Sequence, residues 1–331
     1  MTTRRDILRL AAAGAAGAAL IPSSFAHSMT HASDDETYFT WKPAADNALV
    51  AFGGGGNSLV LRGKGATLLV DCKNAPYGDC LRREAKDVTV VVNTHHHADH
   101  TGGNHAFSKD LKIIAQTNAT PRVLGQMNRY VSQLKEAATQ LGEATGPAVP
   151  KVREEAMALY KRVEKLKPTD FAPTLTFDTD DTLDVGGIEV KLHHFGPGHT
   201  DNDLIVHVPS LNLIHTGDLL FHNRHPFIDL DGGASTTGWL ASLAKIIALC
   251  DAKTVVIPGH GEITNVGGLL NQVHYFEFAR TLIEKEFKAG KTRDDIIALK
   301  PAEFAKLEGG GIQGLAFGAI FEEFKRAAAK H

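Results

Sequence analysis

The residues best suited to chemistry lie in one short stretch, residues 94–103, where side chains of metal-ligand type follow an apolar segment. They are His95, His97, Asp99 and His100. In an extended loop alternate residues point the same way, so these side chains can enter one cavity, and the intervening His96 is expected to point away. Neutral imidazole and carboxylate are common zinc ligands. The His-x-His-x-Asp-His pattern therefore predicts a metal site.

Three further candidate ligands each follow a glycine at the expected end of a strand. They are His199, Asp218 and His260. Glycine lets the backbone turn sharply, so the next side chain can project at the edge of a sheet. Together with the first stretch, these residues predict a cluster of histidine and aspartate side chains at one edge of the fold.

Short apolar segments recur through the region that carries these residues, and each ends near glycine, aspartate or histidine. Segments of this length, rich in β-branched residues or leucine, predict strands. The predicted strands are residues 58–61, 67–71, 88–93, 113–115, 188–192, 204–208, 211–215 and 254–258. Helical periodicity alternates with them, as in residues 238–250. The pattern predicts an α/β layout with mixed sheets.

With these motifs the chain resembles the metallo-β-lactamase fold superfamily of metallohydrolases over about residues 45–265. The resemblance implies an α/β (α+β) fold, a four-layer αβ/βα sandwich, in a catalytic domain at residues 38–265 with the site at one rim of the paired sheets. It implies two zinc ions per chain, one held by His95, His97 and His199, the second by Asp99, His100 and His260, and both by Asp218. Asp71 matches a family position where an aspartate orients a ligand histidine; turn capping is the open alternative.

The resemblance also implies hydrolysis. Two zinc ions with Asp99, Asp218 and a hydroxide would keep a small positive charge, which favours a carbonyl oxygen becoming an oxyanion, and zinc lowers the pKa of bound water toward about 7. Asp99 can orient that water and is the candidate catalytic residue. An aspartate at position 218 resembles glyoxalase II and the lactonases, whereas β-lactamases generally have Cys or Ser there. The expected substrates are esters, lactones, thioesters or strained amides, with β-lactams as a side activity.

Two other classes of function stay open at this point. One is an iron enzyme of the same fold, either a mononuclear persulfide dioxygenase or a diiron oxidoreductase; the mononuclear type would use two histidines and one carboxylate. The other is a non-catalytic periplasmic zinc-binding module. The ligand types also allow iron or manganese in place of zinc.

Composition excludes several classes of protein. The chain has 331 residues, 17 histidines, 3 cysteines and a formal net charge of −3. The sparse cysteines exclude a disulfide-framed scaffold and a cysteine-ligated zinc module. A chain without a basic excess is not expected to bind nucleic acid. Cys72 and Cys80 could pair in an oxidising compartment, but a packed Cys72 and an unpaired Cys80 are favoured.

Residues 1–26 are expected to be a twin-arginine-type export signal. Arg4 and Arg5 precede an apolar run at residues 10–21, which is shorter than the roughly 20 apolar residues that a spanning helix needs. The expected location is the periplasm or the outside of the cell. No integral membrane segment is expected after removal of the signal.

Two segments depart from the strand pattern. Residues 121–167 predict a helical insertion, either a solvated cover or a substrate lid, and residues 266–331 predict a helical C-terminal extension. The glycine run at residues 53–56 lacks the Gly-Lys-Ser/Thr of a phosphate loop and predicts a turn or a close backbone approach. The candidate pocket residues for a small-molecule substrate are Phe221, His222, Arg224 and Phe227. The sequence indicates no particular oligomeric state.

Overall fold

The computed structural model describes residues 37–107, 111–126, 158, 161–162 and 165–329. The predicted export signal at residues 1–26 lies outside them, as does most of the predicted insertion at residues 121–167. The described chain forms two β-sheets with helices on their outer faces. Among the helices so described, none has the length and apolar character needed to cross a membrane.

The first sheet contains the N-terminal strands in the order in which they occur in the chain. They are β1 (Thr40–Ala45), β2 (Ala48–Phe52), β3 (Ser58–Gly63), β4 (Ala66–Val70), β5 (Val90–Val92), β6 (Lys112–Gln116) and β7 (Leu175–Phe177). Strands β1 to β4 form an antiparallel meander. Strands β4 to β7 run parallel, so their carboxyl ends meet at one edge, where the histidine-rich stretch follows β5.

The second sheet has the strand order β12-β11-β10-β9-β8. Its strands are β8 (Asp180–Asp184), β9 (Glu189–His193), β10 (Ile205–Val208), β11 (Leu213–His215) and β12 (Val255–Ile257). Strands β8 to β11 are antiparallel, whereas β11 and β12 are parallel. The carboxyl ends of β11 and β12 therefore lie side by side.

Helices cover the outer face of each sheet. The α-helices of the described residues are α1 (Gly78–Ala85), α2 (Ala98–Thr101), α3 (Thr236–Ala248), α4 (Val266–Lys288), α5 (Arg293–Ile297) and α6 (Gly310–Ala328), of which α2 is a single turn in the loop after β5. Leu81 of α1 packs with Leu69 against the first sheet. Trp239 of α3 and Phe317 of α6 share a buried cluster with Ile214 of the second sheet.

The two sheets pack face to face over a buried apolar layer. Leu59 and Leu68 enter it from the first sheet, and Leu192 and Val206 enter it from the second. Because alternate residues of a strand point to opposite faces, the neighbouring residues face the outer helices. The result is four layers, helix, sheet, sheet and helix, which confirms the predicted fold class.

The predicted strands all coincide with strands of the structure, and residues 238–250 largely coincide with α3. The sequence reading did not identify β1, β2, β7 and β8. Strand β8 explains the difference, since its five residues include three aspartates and alternate between exposed and half-buried positions. Its stability comes from antiparallel pairing with β9, and pairing of this kind leaves no apolar signal in the sequence.

The described part of the C-terminal segment, residues 266–329, is packed more closely than a tail would be. Phe304, Phe317 and Ile320 belong to the same buried cluster as Trp239 of α3. Glycines separate its helices, since α4 ends before Gly290 and α6 begins at Gly310.

Within the described residues no disulfide joins Cys72 to Cys80, and both side chains are buried.

Candidate metal centre

The loop after β5 uses two local conformations to present its side chains. Residues 93–97 leave the strand as a loop, and His97 is still extended, with φ −62° and ψ 148°. A single helical turn, α2, follows and carries Asp99 and His100. His95 therefore lies in a bent part of the loop rather than in the extended chain that the sequence predicts, His97 lies in extended backbone, and the helical turn places the other two residues.

The second sheet supplies the remaining candidate ligands from three loops at its edge. His199 lies in the loop after β9, Asp218 in a 3-10 turn after β11, and His260 just after β12. The parallel pairing of β11 with β12 brings the last two loops together, and Gly259 N–H donates to the carbonyl of Gly217 at 2.8 Å.

The structure brings the seven predicted residues together in two groups whose potential ligand atoms lie within 4.8 Å of one another. The first group is His95, His97, His199 and Asp218, and the second is Asp99, His100 and His260. In the first, His97 Nδ1 lies 3.0 Å from His199 Nε2, which is 3.5 Å from Asp218 Oδ2.

Asp218 also contacts the second group. Its Oδ1 lies 3.2 Å from His100 Nε2, and its Oδ2 lies 3.3 Å from His260 Nε2. The same nitrogen of His260 lies 3.2 Å from Asp99 Oδ2. Asp218 therefore occupies the position between the two groups.

Several polar atoms at this centre have no hydrogen-bond partner. His95 Nε2, His100 Nε2 and Asp218 Oδ1 are buried and make no well-aligned hydrogen bond within the described structure, although His100 Nε2 and Asp218 Oδ1 lie 3.2 Å apart. A buried polar atom without a partner lowers the stability of a protein by about 1–3 kcal/mol. Several such atoms directed at one point therefore indicate a ligand-binding site. Imidazole nitrogen and carboxylate oxygen suit zinc, and the residues therefore fit the metal that the sequence predicts.

In the absence of metal, protonated histidines pair with ionised aspartates at this centre. Burial opposes the charge of His260, but Asp218 and Asp99 outweigh it and raise the pKa of His260 to about 9. Against the same burial, these carboxylates and Asp71 raise the pKa of His100 well above its usual value. Burial would raise the pKa of Asp218, but His260 and His100 hold it well below the ordinary range.

Partners behind the ligands fix the orientation of several rings. Asp71 accepts from the backbone N–H of Thr94 at 2.8 Å and lies 2.7 Å from His100 Nδ1, so the predicted orienting carboxylate lies behind His100. Thr94 Oγ1 lies 3.1 Å from His95 Nδ1. His199 Nδ1–H donates to the carbonyl of Phe227 at 2.8 Å. Each of these contacts leaves Nε2 facing the centre.

Two residues near the centre were missed by the sequence analysis. Asp229 Oδ2 lies 2.8 Å from His97 Nε2 and 3.5 Å from His96 Nε2, so it is the side chain toward which His96 points. Lys73 is fully buried and donates to the carbonyls of Ala51 and Gly56 at 2.6 Å each. Neither residue belongs to a motif, and lysine is rarely expected in a core.

The four candidate pocket residues divide into two pairs. The ring of Phe221 stacks on His260 with centroids 5.2 Å apart, and the ring of Phe227 lies 5.8 Å from that of His97. His222 Nδ1–H instead donates to the carbonyl of Glu262, and Arg224 pairs with Glu308 at 3.4 Å. The structure thus places the two phenylalanines against the centre and engages the other two residues with neighbouring surface segments.

The sequence matches the family model of the metallo-beta-lactamase superfamily over residues 51–260. The chain therefore belongs to this superfamily, whose members are generally hydrolases.

Among its relatives is an uncharacterized protein of Mycobacterium tuberculosis, 37% identical over 184 residues that cover 54% of this chain and 71% of the relative. Metallo-beta-lactamase type 2 of Bacillus cereus is 25% identical over 224 residues, which cover 65% of this chain and 70% of the relative. Acyl-coenzyme A thioesterase MBLAC2 of Bos taurus is 24% identical over 173 residues, which cover 52% of this chain and 55% of the relative.

Solved structures share the fold. A metallo-beta-lactamase from Pontibacter korlensis superposes with a TM-score of 0.51 at 16% identity, covering 72% of this chain and 99% of its own. The sec-alkylsulfatase Pisa1 from Pseudomonas sp. gives a TM-score of 0.61 at 16% identity, and the superposition covers 86% of this chain and 50% of the alkylsulfatase. At this identity the likeness extends to the fold alone.

Proposed function

We propose that this protein is a dinuclear zinc hydrolase that attacks the carbonyl of an ester, lactone, thioester or strained amide. The observation that carries the proposal is the position of Asp218, which contacts ligand nitrogens of both groups at 3.2 to 3.5 Å. A carboxylate in that position can bridge two cations, and paired metal sites are suited to hydrolysis.

When bound, two zinc ions would supply a nucleophilic hydroxide at neutral pH and polarise the carbonyl oxygen. His95, His97 and His199 would hold one ion and Asp99, His100 and His260 the other, with Asp218 between them. The side chain of Asp99 is 25% exposed, whereas that of Asp218 is 3% exposed. Asp99 can therefore meet water and substrate, and it would orient the attacking water by accepting a hydrogen bond from it. Phe221 and Phe227 would provide apolar contacts beside the reacting carbonyl.

The substrate class follows from the residue at the bridging position. Aspartate there supports an ester, lactone or thioester, and the relative named as an acyl-coenzyme A thioesterase is consistent with this class. The relatives named as metallo-beta-lactamases support β-lactams as a side activity. We further propose that residues 1–26 direct export and that the substrate is a small molecule met outside the cytoplasm.

Metal analysis combined with a substrate screen tests this function. Purified protein should contain about two zinc equivalents and should hydrolyse at least one of an acyl homoserine lactone, a thioester, a nitrophenyl ester or a chromogenic cephalosporin. One equivalent of iron with oxygen uptake would instead identify the iron enzyme. Full zinc loading without turnover of any of these compounds would favour the non-catalytic module.

The variant Asp218→Ala tests the bridging position. Without the shared carboxylate, we expect loss of much of the second zinc equivalent and of nearly all turnover, measured by metal analysis and initial rates. Asp231→Ala, a change of the same type at an exposed position, is the control and should retain both. Wild-type metal content and rate in Asp218→Ala would refute the assignment.

A further inference from the structure

His97 is oriented differently from the other histidines of its group. His95 and His199 present Nε2 to the centre, because Thr94 and the carbonyl of Phe227 occupy their Nδ1 atoms. His97 presents Nδ1, which lies 3.0 Å from His199 Nε2, and its Nε2 points to Asp229. The proton of His97 must therefore reside on the opposite ring nitrogen from that of its neighbours.

The contact with Asp229 determines where that proton resides. An ionised carboxylate can only accept, so the 2.8 Å contact requires His97 Nε2 to carry hydrogen and to donate it. A neutral imidazole has one N–H, and the lone pair of Nδ1 is then left free toward the centre. The interaction is partly shielded from water, because the side chain of Asp229 is 15% exposed and that of His97 is 12% exposed.

Asp229 is itself held in place from several directions. Its Oδ1 accepts from the backbone N–H of Gly232 at 2.9 Å, and a side chain at Gly232 would overlap Oδ2. Arg122 holds the surrounding loop, since its Nε donates to Asp201 Oδ1 at 3.1 Å and it also donates to the carbonyl of Asp231. The carboxylate thus has one oxygen fixed by a backbone donor, and its other oxygen faces His97 at 2.8 Å and, more distantly, His96 at 3.5 Å.

We infer that Asp229 is a positioning residue for the first metal: it selects the tautomer and ring orientation in which His97 Nδ1 can act as a ligand. This inference rests on the proposed function, because it requires a zinc ion at the first group. Partners of this kind typically change metal affinity by about 10–100-fold when they are replaced.

A purely structural role for Asp229, as a cap for the loop at Gly232, predicts different consequences. An asparagine at position 229 can still accept from Gly232 N–H through its oxygen. The amide –NH2 then faces His97 Nε2 and can only donate, which forces that nitrogen to accept and moves the proton to Nδ1, the ligand atom. An alanine removes the loop cap but introduces no opposing donor.

The test compares Asp229→Asn, Asp229→Ala and the control Asp231→Asn, whose side chain is exposed in the same loop. Zinc affinity is measured by competition with a chromogenic chelator. The tautomer of His97 is measured by long-range ¹H–¹⁵N correlation spectra of the zinc-free protein at alkaline pH, where the ring is neutral, because against burial the contact with Asp229 raises the pKa of His97. We expect Asp229→Asn to weaken one zinc equivalent by about 10–100-fold, with the proton moved to Nδ1. Asp229→Ala should be weakened less, and Asp231→Asn should match the wild type.

Two results would overturn the inference: equal zinc affinities in Asp229→Asn and wild type, or a larger loss in Asp229→Ala that follows the thermal stability of the metal-free protein. The second result would identify a loop cap. A wild-type protein that binds no zinc in the same titration overturns the proposed function, and the inference with it, so the two failures are distinguishable.

Discussion

The histidines of the second group hold protons where a metal would bind. With the pKa of His260 raised to about 9 and that of His100 raised well above its usual value, both rings are protonated at pH 7 in the metal-free protein. His260 gains its proton on folding, so it stabilises the folded protein fully below about pH 6.5, and this stabilisation is lost as the pH rises through about 9. Metal binding must displace these protons.

We therefore predict that zinc binding at pH 7 releases about two protons and that affinity increases with pH up to about 9. Calorimetric titration in buffers of different ionisation enthalpy measures the proton count. At pH values above the raised pKa of His260 the count should fall. A binding reaction at pH 7 that releases no protons would contradict the pairing of His100 and His260 with Asp218 and Asp99.

At the level of single residues, the sequence predicted those side chains whose spacing is tied to a local conformation. His95, His97, Asp99 and His100 lie within six positions, and glycine marks the other three. Asp229 and Lys73 could not be predicted, because each acts on a segment far away in the chain. Asp229 reaches His97 across 132 positions, and Lys73 bonds to the carbonyls of two earlier residues.

The glycine run before β3 shows how an element limits the side chains beside the centre. Gly56 N–H donates to the carbonyl of Asp99 at 3.1 Å, and a Cβ on Gly56 would overlap the imidazole ring of His100. A Cβ on Gly55, which has φ 138°, would lie 2.6 Å from the carbonyl oxygen of Asp99. The close backbone approach expected for this run is therefore present, and it leaves no room for a side chain at position 56 beside the ring of His100.

The variant Gly56→Ala should displace His100, whose Nε2 faces the second group. We expect zinc content to fall from two equivalents toward one, with a large loss of any hydrolytic rate, because a single misplaced ligand weakens the site. Gly311→Ala, at a position in α6 with no atom within 4 Å of the added group, is the control. Normal zinc content of Gly56→Ala, checked by metal analysis, would show that the glycine loop moves and His100 keeps its position, which would contradict the prediction.

Burial accounts for most of the strands that could and could not be predicted, and β2 is the exception, since three of its five residues are buried. Strands β4 and β5 are rich in valine and leucine, and most of their residues are buried. Strands β1 and β8 are mostly half-buried or exposed, so no apolar pattern distinguishes them from loops. The helical turn α2 was missed because four residues are too few for a helical period to appear.

For the molecule as a whole, the C-terminal helices belong to the core beside the centre. Trp239 packs 5.3 Å from the ring of His199 and donates to the carbonyl of Leu219, and it shares its buried cluster with Phe317 and Phe321 of α6. Helical periodicity could predict α4 and α6 from the sequence, but it does not indicate which surface of the protein each helix covers.

We predict that Phe317→Ala lowers the free energy of unfolding of the whole chain by about 3–5 kcal/mol, because it removes a fully buried ring. Leu315→Ala, in the same helix at 42% exposure, should change it by less than about 0.5 kcal/mol. Urea unfolding followed by tryptophan fluorescence and far-ultraviolet circular dichroism measures both. Non-coincident transitions in which only the helical signal shifts would show that α6 folds separately.

The candidate ligands come from both sheets and span residues 95–260, about half of the chain, which sets the order in which a growing polypeptide can complete them. Synthesis proceeds from the N-terminus, so the first group is complete at Asp218 and the second only at His260. The core that packs Trp239 against His199 needs Phe317, which is made later still. A nascent chain therefore exposes its histidines before it can arrange them, so a metal held by both groups would have to be loaded after translation is finished.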